Sequence, residues 1–208
     1  MRVKRLAQAD VAHYNGTVDQ RSSLSFSIDL PGGLNRLREA TLYVCKASEN
    51  AERFGKVKLN KILWRADFKA FADRRTPVTG RTYQKLTAGP APLEMPLVLA
   101  QLQAEGLLHL ERLALAGGYV EDRPIALATA NLKDFSPNDI AYLDEAISFY
   151  WKKSATRASD LSHGVAWKSR EYLDPIPYEA AFLSDRKMAT NEVKHFSDLM
   201  RSKGWTTL

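Results

Sequence analysis

Residues 56–75 read KVKLNKILWRADFKAFADRR, and how this stretch sorts its side chains decides the fold. At about 100° per residue, Leu59, Ile62, Leu63, Ala66 and Ala70 fall on one stripe of a helix. Trp64, Phe68 and Phe71 lie roughly opposite, and Lys58, Lys61, Arg65 and Lys69 form a basic stripe between the two. A helix apolar on two sides sits inside a domain with neighbours on both. The pattern predicts a central helix that shows water only its basic edge.

Immediately upstream, Gly55 reads as the end of a helix running from Leu34 to Arg53, with Leu37, Thr41, Val44 and Cys45 on its inner face. Pro31-Gly32-Gly33 breaks the chain before it. In residues 1–30, Leu24, Phe26, Ile28 and Leu30 alternate with polar residues at the period of a half-buried strand, and Asn15-Gly16 reads as a turn. These residues form an N-terminal extension, extended or strand-forming. It either docks on the chain's own domain, the favoured arrangement, or reaches a partner or a second copy.

Downstream, Arg81–Leu86 reads as a short strand and Ala88-Gly89-Pro90 as a sharp break. A helix from Leu93 to Glu105 turns Leu97, Val98 and Leu102 inward and stops at Gly106. Leu107–Leu113 and Tyr119–Ala128 alternate as strands around Ala116-Gly117-Gly118, which predicts a β-hairpin. Ser136 followed by Pro137 is a helix start, with Ile140, Leu143, Ile147 and Trp151 as the core stripe to about Ser154. Thr156 is placed as the cap of a short helix ending near His163. Trp167–Tyr172 reads as a turn, and Asp185–Lys203 as a last helix with Met188, Val193, Phe196 and Met200 inward. The fold class is mainly α (α+β): residues 31–208 form a compact helical domain around the 56–75 helix, with a small antiparallel hairpin.

A chain of 208 residues with 45% hydrophobic content can bury a core as one domain. No apolar run approaches the roughly 18 residues of a membrane span. Arg2, Lys4 and Arg5 have no apolar stretch behind them, so no secretory signal is expected. The single cysteine, Cys45, fits a small core residue in a reducing cytoplasm. The net charge of +6 is concentrated: Lys56 to Lys85 holds nine Lys or Arg against two Asp, an excess of seven. Such a patch attracts nucleic acid or an acidic protein surface.

Phosphate loops and dinucleotide fingerprints are absent, and His13, His109, His163 and His195 are scattered without metal-ligand spacing. No cofactor and no metal site are expected. Ser162 and His163 are adjacent, but neighbours on a helix point about 100° apart, which argues against a nucleophile–base pair. Asp144-Glu145 and Glu121-Asp122 read as solvated surface. His163 four residues before Trp167 predicts a packed corner, the imidazole bonding a backbone carbonyl and the indole filling core.

These pieces together resemble the SocA-like antitoxin family, the Panacea domain. The matching stretches are Leu59-Asn60-Lys61-Ile62-Leu63-Trp64-Arg65-Ala66-Asp67, the Gly89-Pro90 break, and Leu161-Ser162-His163 with Trp167-Lys168, in order, across Leu34 to Leu173. Ala88 stands where the family has an aromatic residue, and residues 1–30 extend beyond the usual start. The resemblance implies a compact, mainly helical bacterial or phage protein that acts as an antitoxin by binding its toxin. It carries no known catalytic residues; Leu63, Gly89, Pro90, Ser162, His163 and Trp167 then hold the family's architecture.

The expected function is neutralisation of a toxin encoded beside it, by direct protein–protein contact in the cytoplasm, without enzymatic activity. Lys58, Lys61, Arg65 and Lys69, with Leu24, Phe26 and Ile28 of the extension, are the expected partner contacts, because a positive face steers an acidic partner and an extended arm supplies main-chain hydrogen bonds. A homodimer stays open. The alternatives are a nucleic-acid-binding operon regulator with a winged-helix-like hairpin, which is not favoured, and an adaptor delivering a partner to a protease.

Overall fold

A computed structural model describes residues 24–114, 118, 120–183, 194 and 198. The helices are α1 (Leu34–Ala47), α2 (Lys56–Arg74), α3 (Met95–Ala104), α4 (Pro137–Tyr150), α5 (Ala155–Ser162) and the single turn α6 (Val165–Lys168). The strands are β1 (Tyr83–Gln84), β2 (Ala91–Pro92), β3 (Leu108–Ala114), β4 (Val120–Ala126) and β5 (Pro175–Ile176), and a 3-10 turn covers Tyr178–Phe182. The described residues are mainly helical with small antiparallel sheets. The predicted C-terminal helix over 185–203 and the turn at Asn15-Gly16 lie outside the described residues.

α2 is the wall between two cores. Leu59, Ile62, Leu63, Ala66 and Ala70 join the larger one, with Leu37, Val44 and Cys45 of α1, Val98 and Leu102 of α3, and Leu143 and Ile147 of α4. Phe68 and Phe71 face a smaller aromatic cluster with Tyr83, Ile176 and Tyr178, against which Trp64 packs half-buried. Phe68 and Tyr178 stack at 5.0 Å. Burial pushes the Cys45 thiol above its ordinary range, which keeps it protonated and inert.

β1 is the centre of a three-stranded sheet, pairing antiparallel with β2 and with β5 from far along the chain. β3 and β4 pair as the expected antiparallel hairpin, with Glu111 opposite Arg123 and Arg112 opposite Asp122. α4 starts in a full capping box: Ser136 Oγ accepts from Asp139 N–H, and Asp139 Oδ2 accepts from Ser136 N–H. The Asp139 carboxylate also pairs with Arg36 of α1 and Arg74 of α2, tying three helices. Burial raises its pKa, but the bonds from Arg74, Ser136 and Arg36 win and hold it below the ordinary carboxylate range.

Several boundaries move. α1 ends at Ala47, and Gly55 is extended at φ −116°, ψ 179° as the N-cap of α2. Leu97 is exposed, because the inward face of α3 runs through Met95, Val98, Leu99 and Leu102. The cap of α5 is Ser154, whose side chain accepts from Arg157 N–H, two residues before the expected Thr156. Residues 24–30 form no ladder and bend at Phe26. Ile28 N–H donates to Gly80 O (2.9 Å), Tyr178 N–H donates to Ser25 O (2.8 Å), and Ile28 packs on the aromatic cluster. This part of the extension docks on its own domain.

Candidate functional site

The basic edge of α2 is divided along its length. Lys58 and Lys61 are each 1% exposed, so the expectation that this edge faces water fails for both. Lys58 Nζ donates to the carbonyls of Glu52 (3.0 Å) and Trp151 (3.4 Å). Lys61 Nζ donates to Pro90 O at 2.7 Å, and burial pushes its pKa down to about 7. Long aliphatic stems let both lysines cross apolar packing to reach carbonyls supplied by distant loops. Further along, Arg65 pairs with Glu145 (2.7 Å) and lies over the Phe149 ring, while Lys69 pairs with Asp73 (2.8 Å). These two keep partial contact with water.

The carboxylates read as solvated surface keep contact with water, and three of them also hold a partner. Glu145 holds Arg65, Asp144 accepts from Tyr43 OH (2.7 Å), and Asp122 pairs with Lys56 (2.6 Å).

Around Lys61 the three separate sequence motifs meet in one corner. Gly89 sits at φ +96° between Lys61 and Ser162, so close that a Cβ would overlap Ser162 Oγ and come within 2.9 Å of Lys61 Cε. Only glycine fits this approach and this backbone. Ser162 Oγ donates to Ser159 O (2.6 Å), and Ser159 Oγ donates to Ala88 O (2.9 Å). With that hydroxyl proton committed, His163 Nε2, 3.2 Å from Ser159 Oγ, is the donor of their bond. Ser162 and His163 do not bond each other. Burial, reinforced by the Lys61 charge, lowers the His163 pKa and keeps the ring neutral.

His163 stacks on Trp167 with ring centroids 3.9 Å apart. The indole is half-buried rather than core-filling, since α6 contributes no fully buried residue. Its Nε1–H donates to Leu86 O (2.9 Å), and Lys85 Nζ lies 4.2 Å above the ring. The corner thus links α2, the 85–90 turn, α5 and α6 through side-chain-to-carbonyl bonds. The imidazole finds a hydroxyl, not the expected backbone carbonyl, because Ser159 stands one helical turn before it. That i,i+4 spacing was the available signal for Ser159.

A second buried polar group escaped the sequence reading. Asp67 is 0% exposed and accepts from Val78 N–H (2.7 Å), Thr79 N–H (2.6 Å), Thr79 Oγ1 and Tyr83 OH (2.8 Å). Burial raises its pKa against these bonds, and raises that of Tyr83 further. Its signal was an acid four residues after Leu63 on an apolar face.

Leu63 is fully buried, and Leu24, Phe26 and Ile28 lie in the docked extension, exposed or half-buried. Among the described residues no group of three His, Cys, Asp or Glu could hold a metal ion, and no helix is long and apolar enough to cross a membrane.

Beside the corner runs an open groove of about 250 Å³, bounded by α2, the α5–α6 corner and the 3-10 turn. Trp64, Phe68, Leu161 and Val165 line it with apolar side chains, and Arg65 and Lys69 line it with cations.

No curated protein and no solved structure matches the chain. Residues 59–168 match the family described as antitoxin SocA-like, Panacea domain. That span, more than half of the sequence, holds α2 from Leu59 onward, the 85–90 turn and the Ser162–His163–Trp167 corner. The chain belongs to the SocA-like antitoxin family of Panacea domains.

Proposed function

We propose that this chain neutralises a protein toxin encoded beside it by binding it directly, without catalysing a reaction. Family membership carries the reading. The geometry of the corner supports it: the polar groups of Lys61, Ser159, Ser162 and Trp167 are spent on bonds to main-chain carbonyls. Two of the four residues of the basic stripe, Lys58 and Lys61, are interior, so the partner's steering falls to Arg65 and Lys69.

The test is co-expression with the product of the adjacent open reading frame. Growth is restored by the full chain, and the two proteins purify as a complex. Growth arrest that persists against every adjacent gene product sinks the reading.

A further inference from the structure

We infer that the groove beside α2 is the toxin-binding surface, and that it takes an apolar segment of the toxin flanked by carboxylates. The inference rests on the direct-binding reading above and names where that binding occurs.

Three observations meet in the groove. Much of its lining is apolar, including Trp64, Phe68, Leu161 and Val165. Leu161 keeps 39% of its surface in water, and Leu183, which also lines the groove, keeps 53%. Contiguous exposed apolar side chains on a folded surface mark contact with a partner. Arg65 and Lys69 are the charged residues lining the groove among those described, and both are cations. Their counter-ions, Glu145 and Asp73, do not line it.

Half-exposed ion pairs of this kind contribute little to stability, so a partner's carboxylate can join or replace Glu145 and Asp73 at small cost. The apolar floor supplies burial and the two cations supply register and attraction, the usual division between the centre and rim of an interface. A segment without apolar side chains would leave Trp64 and Leu161 wet. A basic one would meet Arg65 and Lys69.

The chain's chemistry provides a clean probe. Its single cysteine, Cys45, is buried and its thiol is held protonated, so Leu161→Cys places one reactive thiol on the groove. The rate of thiol labelling by a small aromatic disulfide is measured on the full-length variant, alone and after adding the product of the adjacent open reading frame. We expect fast labelling alone and at least ten-fold slower labelling in the complex. In a second arm, Lys69→Glu weakens the complex about ten-fold while the variant melts as the parent does.

Slow labelling of the free variant at every concentration means that the chain's own residues beyond 183 cover the groove, and overturns the inference. Labelling that slows as the variant is concentrated assigns the groove to a second copy and also overturns it. A complex that forms while labelling and the Lys69→Glu affinity stay unchanged overturns the groove but leaves direct binding intact. Absence of any complex with the parent chain removes the direct-binding reading, and the inference with it.

Discussion

Lys61 and Pro90 are joined by a 2.7 Å hydrogen bond from a buried ammonium to a main-chain carbonyl 29 residues away. The acceptor is a neutral dipole, so the charge is only partly compensated for leaving water. The amine responds by giving up its proton near pH 7 rather than near 10.5.

This makes stability depend on pH. Between about pH 7 and pH 10.5 the unfolded chain binds the Lys61 proton and the folded chain does not, so stability rises with pH across that window. The slope contributed by this one group is at most about 1.4 kcal/mol per pH unit. Urea unfolding at pH 7, 8 and 9 should show it for the parent, and Lys61→Met should flatten it. Equal slopes for the two proteins would place the Lys61 proton elsewhere.

Lys61 and Arg65, one helical turn apart, should respond to charge reversal to very different degrees. Lys61→Glu buries a carboxylate against a carbonyl oxygen and should cost several kcal/mol, enough to prevent folding. Arg65→Glu sets two half-exposed carboxylates together and should cost about 1 kcal/mol after solvent screening. Circular dichroism melts of the two variants decide between them.

Gly89→Ala should destabilise by about 2–3 kcal/mol, from left-handed strain and the clash with Ser162. Removing the opposing hydroxyl in the Ser162→Ala background should recover part of that loss. Strictly additive unfolding free energies would show that the two residues are not in contact.

Asp67→Ala should cost about 3–5 kcal/mol, since it leaves two main-chain N–H groups and the Tyr83 hydroxyl unpaired in the interior. The 76–80 turn would lose its anchor first. Hydrogen exchange at Val78 and Thr79 should therefore rise more than global unfolding explains.

His163→Ala should cost about 0.5–1.5 kcal/mol, the scale of one aromatic stack on a half-buried ring. Trp167 fluorescence should shift red as its covered face meets water. An unshifted spectrum would contradict the stack.

Much of this was legible from residue pattern. The two apolar faces of α2, the alternation of β3 and β4, and the Ser136-Pro137 start of α4 are local signals, and each element formed where its pattern said. What escaped depends on acceptors brought by distant segments. A lysine on a helix reads as exposed unless one knows that Pro90, Glu52 and Trp151 will offer carbonyls to it. Asp67 reads as a surface acid until the 78–83 segment folds over it. Leu97 misled because α3 carries apolar residues on more than one face, so its period does not identify the inner one. Ser154 and Thr156 are both good caps, and nothing local ranks them.

The family match spans residues 59–168, yet both cores on which α2 depends reach outside it. Leu37, Val44 and Cys45 complete one side, and Ile176 and Tyr178 complete the other. The stretch by which the chain is recognised is therefore not a stretch that can stand by itself. Excised, its principal helix would keep Val98, Leu102, Leu143 and Tyr83 but lose part of its cover on both flanks, so trimming the chain to its recognisable part should yield a less stable fragment rather than a minimal antitoxin.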